Sequence, residues 1–129
     1  MIEEYFQAQL NLLSSLPYVE NSHINLEKRA DMVGFIRGDI EFQDGSHLHY
    51  RELVDLRQPM RLVMYAYHNQ KQAGGLIFRY DNTAHHMNID TFPYHKHSGE
   101  GEILPAQAPD LEKVLREIEP LINPDQIDS

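Results

Sequence analysis

Residues 34–56 read GFIRGDIEFQDGSHLHYRELVDL, the pattern of two strands folded back on each other. Phe35, Ile36, Ile40 and Phe42 supply the apolar positions before the turn. Asp44-Gly45 is the strongest turn pair in the chain, because its glycine accepts the positive φ that a tight hairpin demands. Alternation resumes at once, with Leu48, Tyr50, Val54 and Leu56 sharing a face with Glu52. So short a connection can join only antiparallel neighbours.

Working outward, the same texture covers residues 22–82. Ile24 and Leu26 alternate with polar neighbours on the N-terminal side. On the C-terminal side Gln58-Pro59 interrupts the chain. Leu62, Met64 and Ala66 then face one way, and Val63, Tyr65 and Tyr67 the other. Ala73-Gly74-Gly75 marks a second hairpin into Leu76-Ile77-Phe78-Arg79-Tyr80. Residues 2–16 instead repeat at the helical period through Ile2, Phe6, Gln9, Leu10, Leu13 and Leu16, and Pro17 stops them. A second amphipathic helix is predicted from Asp110 to Glu119, with Leu111, Val114, Leu115 and Ile118 as its apolar stripe before Pro120. Residues 83–105 show no period and read as a long ordered loop. The expected fold class is α+β: a five-stranded antiparallel meander with an N-terminal and a C-terminal helix, both on one face. The other face is then free for a ligand or partner. Residues 1–129 are expected to form one domain, with 120–129 irregular.

The chain has no cysteine, which excludes disulfide frameworks, thiolate nucleophiles and cysteine-ligated zinc. No apolar run reaches membrane-spanning length, and the first residues lack the basic start of a signal peptide, so a cytoplasmic location is expected. The net charge of −9 argues against broad, non-specific nucleic-acid binding. That charge is unevenly placed. Residues 1–43 carry seven acids against three bases, and 99–129 eight against two, whereas 44–98 carry five acids, six bases and seven of the eight histidines. An anion would be repelled least in the middle of the chain.

The chemistry-bearing residues concentrate in Phe78–His97. His85, His86, His95 and His97, with Arg79 and Lys96, form the candidate catalytic set. Histidine exchanges protons near neutral pH, so two can act as base and acid while a cation steadies an anionic transition state. Arg51, Glu52, His68, Asp81 and Tyr80 are candidate supporting residues, because antiparallel neighbours bring same-face side chains about 5 Å apart. The plain alternatives are solvated loop histidines and a purely structural ladder of Arg, Glu and Asp. His47 and His49 beside the turn are expected to point to solvent.

Three function classes remain open on these residues. The first is a metal-independent ribonuclease, with Tyr80, Phe92 and Tyr94 available to stack on unpaired bases. The second is a divalent-metal hydrolase using His95, His97, His85 and Asp81. Metal is not favoured there, because adjacent histidines rarely share one ion and Lys96 lies between two of the ligands. The third is no enzyme but a module whose open sheet face docks another protein. No cofactor is favoured, RNA is the substrate in the first class, and a homo-oligomer is left open.

Several segments resemble the TumE family of small bacterial proteins. They are Gly34-Phe35-Ile36-Arg37-Gly38, Asp44-Gly45-Ser46, Arg51-Glu52 and Tyr65-Ala66-Tyr67-His68, then Phe78-Arg79-Tyr80-Asp81-Asn82 with His85-His86, and Thr91-Phe92-Pro93 with His95-Lys96-His97. The likeness runs from about residue 20 to residue 118. It implies a toxin component of a toxin–antitoxin module, encoded beside a small DNA-binding antitoxin. It carries over Arg37, Arg51, Glu52, His68, Arg79, Asp81, His85, His86, His95, Lys96 and His97 as the motif positions.

Overall fold

In the computed structural model, residues 1–82, 95–106 and 108–123 are described. Helix α1 spans Ile2–Ser14. Five strands follow: β1 (Val19–Ala30), β2 (Val33–Phe42), β3 (His47–Asp55), β4 (Arg61–Gln70) and β5 (Leu76–Asp81). Two short strands come next, β6 (His95–Ser98) and β7 (Ile103–Pro105), and helix α2 (Leu111–Ile122) closes the order. Among the described residues the strands form one sheet in the order β1 to β7, each antiparallel to the next. The meander is as expected, but it has seven strands rather than five. Residues 95–105, expected to be loop, supply the extra two. They have four and three residues, too few for alternation to register.

Both expected hairpins form. Gly45 sits at φ 83° between β2 and β3, and Gly74 at φ 101° between β4 and β5. Asp44 Oδ1 accepts from the Ser46 backbone N–H at 2.9 Å, which pins the first turn. One irregularity reshapes β4. Leu53 pairs with Met64 but Val54 with Leu62, so Val63 is the extra residue of a bulge. Beyond it Leu62 turns to the helix side, against the strict alternation that grouped it with Met64 and Ala66.

Both helices lie on one face, as expected. The core joins Ile2, Phe6 and Leu13 of α1 and Leu111, Val114, Leu115 and Ile118 of α2 to Ile36, Ile40, Leu48, Tyr50, Val54, Tyr65, Tyr67 and Phe78 of the sheet. Asp110 caps α2 by accepting from the Lys113 backbone N–H at 2.8 Å. That helix runs three residues beyond the expected Glu119, through Pro120 to Ile122. No helix among the described residues is long and apolar enough to cross a membrane.

Candidate functional site

With the helices on one side, the other face of the sheet carries most of the singled-out residues. Cross-strand register arranges them in two parallel rows. One runs Asn25, Arg37, Arg51, Ala66, Asp81, His95 from β1 to β6. The next runs His23, Asp39, His49, His68, Arg79, His97. Paired residues on antiparallel strands point the same way, so residues far apart in sequence become lateral neighbours.

The middle of these rows lines a shallow basin of about 400 Å³, formed by Arg37, Asp39, His49, Arg51, Ala66, His68, Gln70 and Arg79 with the backbone of Gly38. Ala66 leaves room at its floor. Arg37 and Arg51 stand directly opposite each other, and among the described residues neither forms an ion pair with a carboxylate. Like charges placed so are mutually unfavourable, and an anion between them relieves the repulsion. Arg79 reaches into the basin with Nη1 3.4 Å from His68 Nδ1, while its Nε donates to Asp81 Oδ2 at 2.7 Å. Burial pushes the His68 pKa below the ordinary imidazole value, and the charges of Arg79 and His49 push the same way. His68 is therefore neutral, a proton acceptor, at neutral pH. The His49 ring, 6.5 Å from that of His68, is hydrogen-bonded to Asp39. His47 stacks on His49 at 6.1 Å and pairs with Glu41 at 3.4 Å.

At the β6 end of the rows, His95 Nε2 lies 2.7 Å from Asp81 Oδ1, and His97 Nε2 lies 3.8 Å from Asp81 Oδ2. His95 is only 2 % exposed and cannot touch a large substrate, whereas His97 is 26 % exposed.

The expected set is thus divided. Arg51, His68, Arg79, Asp81, His95 and His97 share the open face. Lys96 and Tyr80, opposite each other on β6 and β5, face the helices instead, and both bind the Glu117 carboxylate of α2. Glu52 also turns inward. It is fully buried and accepts from Tyr5 Oη and Gln9 Nε2, each at 2.7 Å, and from Tyr67 Oη. Burial raises its pKa despite those three donors. Of the ladder of Arg, Glu and Asp, the Arg79–Asp81 ion pair forms, but Glu52 takes no part because it faces the helices. His85, His86, Phe92 and Tyr94 lie outside the described residues. His97 lies across from Arg79 through the pairing of β6 with β5.

His49, expected to point to solvent, is half-exposed yet lines the basin. His23 and Asp39 share its row. The signal that could have found them is register counted from the Asp44-Gly45 turn, which fixes His49 opposite Asp39.

Among known proteins, neither the curated sequences nor the solved structures yield a match. The family described as Toxin TumE matches residues 9–122, nearly the whole chain and both rows of the open face. With motif, register and family match agreeing, the chain belongs to the TumE toxin family.

Proposed function

We propose that this toxin cleaves single-stranded RNA on its open sheet face by metal-independent acid–base chemistry, and that a co-encoded antitoxin restrains it. The observation that carries the reading is the Arg37–Arg51 pair, set opposite each other beside Arg79 and two histidines. A phosphodiester is the anion that fits such a basin, because its charge is spread over two oxygens that planar guanidiniums hold in parallel.

The chemistry follows from the proton inventory. His68, kept neutral, takes the proton of a ribose 2′-hydroxyl as that oxygen bonds to phosphorus. His49, hydrogen-bonded to Asp39, returns a proton to the 5′-oxygen as the phosphorus–oxygen bond breaks. The products are a 2′,3′-cyclic phosphate and a free 5′-hydroxyl. Arg79, Arg51 and Arg37 steady the negative charge that builds on phosphorus. His97 flanks Arg79 across the pairing of β5 with β6. His95 and Asp81 act by positioning Arg79. The acidic ends of the chain complement a basic partner, which favours a basic antitoxin.

The test uses a short RNA and the same oligomer with 2′-deoxy sugars. Cleavage of the RNA alone, leaving a cyclic phosphate and proceeding in a chelator below the unfolding temperature, supports the mechanism. His68→Ala and His49→Ala should each slow it roughly 10²–10⁴-fold. Growth arrest that persists in the folded double variant rejects these residues. Activity abolished by a chelator in folded protein, and restored by zinc or manganese, assigns the reaction to metal-dependent hydrolysis instead.

A further inference from the structure

We propose that Asp81, His95 and His97 hold one divalent transition-metal ion of the zinc class, which fastens β6 to β5. The donor set is the first reason. Two imidazoles and a carboxylate suit zinc and its neighbours in the first transition row. All three donor atoms lie within 4.8 Å of one another. At metal–ligand distances of 2.0–2.1 Å, a tetrahedral ion needs donors about 3.3 Å apart. His95 Nε2 lies 2.7 Å from Asp81 Oδ1 and His97 Nε2 lies 3.8 Å from Asp81 Oδ2, so both imidazoles already converge on the one carboxylate.

Burial is the second reason. Asp81 and His95 are 5 % and 2 % exposed, so the ion would be shielded from competing water on the sheet side. Arg79 already holds Asp81 Oδ2 through its Nε at 2.7 Å, the outer-shell bond that orients a ligating carboxylate. Lys96 stands between the two histidines in sequence and would repel a cation there. Alternation places it on the opposite face against Glu117.

Position is the third reason. Asp81 ends β5 and His95 begins β6, so the cluster sits at the base of the connection formed by residues 82–94. Strands of four and three residues form the far edge of the sheet, and few backbone bonds hold them in register. An ion at the base of that connection would add a link where few backbone bonds hold β6 to β5. The ion here is a fastening and not a reactant, so it leaves the basin chemistry as proposed.

The experiment strips the full chain with a chelator, then titrates zinc by calorimetry and cobalt(II) by visible absorption. One ion per chain, a tetrahedral cobalt spectrum and a melting temperature that rises with zinc are expected, because an ion that binds only the folded state stabilises it. His97→Gln should weaken binding at least tenfold while the chain stays folded, since His97 is partly exposed. The double variant His23→Ala, His47→Ala removes other surface imidazoles and should leave binding intact. No stoichiometric binding, or binding unchanged in His97→Gln, would overturn the proposal.

Discussion

At His68, burial and the neighbouring Arg79 charge act in the same direction, which makes its titration a direct reading of the basin. Its folded-state pKa lies below the ordinary value of about 6.5. The unfolded chain therefore binds the proton first as pH falls, and the stability His68 contributes, present above 6.5, is lost through the window beneath it. Its ring resonances should titrate below 6.5 by NMR, and Arg79→Ala should move the midpoint upward; a midpoint at or above 6.5 contradicts the electrostatics. Glu52 has the opposite sign. Its raised pKa means that its contribution is complete below 4.5 and declines as pH rises. Glu52→Gln should flatten chemical-denaturation stability against pH above 4.5. Glu52→Ala strands buried donors and should cost about 1–3 kcal/mol for each one left unsatisfied. Equal pH slopes in wild type and Glu52→Gln would show that Glu52 ionises normally despite its burial.

Among the elements, α1 is seated on β2 where Gly34 leaves no side chain. A Cβ there would meet Phe6 Cζ at 2.6 Å and Ile2 Cγ1 at 2.7 Å. Gly34→Ala should therefore destabilise the fold by about 1–3 kcal/mol through overpacking, seen as a lower denaturation midpoint with an unchanged slope. The helices and the two glycine hairpins were legible in sequence because each announces itself locally, by a period, a cap or a turn pair. Other features were not. The Val63 bulge leaves no mark in composition, so Leu62 reads as facing the wrong side. Residues 95–98 offer one alternation and a half, too short a run to mark a strand or to seat Lys96 against Glu117. Read as a strand, His95 and His97 share a face and Lys96 does not. Glu52 failed for a different reason. Alternation already grouped it with Tyr50 and Val54, but a carboxylate at a core position is expected only once its three donors are known.

Taken whole, the molecule sets a small cationic basin in an acidic body of net charge −9. Long-range attraction of a polyanion is therefore weak, and on the proposed function RNA affinity must come from few, close contacts. Three arginines line the basin, Arg37, Arg51 and Arg79. For single strands each neutralised phosphate contributes a slope of about −0.7 to log K against log salt, so three contacts give about −2. A general polybasic binder would be several-fold steeper. Arg51→Ala should make the slope shallower by about 0.7 and weaken binding of every RNA sequence to a similar degree, because phosphate contacts carry no base information. Fluorescence anisotropy with an uncleavable 2′-deoxy oligomer, repeated over a range of salt concentrations, measures both quantities. A slope near zero would remove phosphate from the basin. A slope untouched by Arg51→Ala would move the RNA to some other face of the sheet.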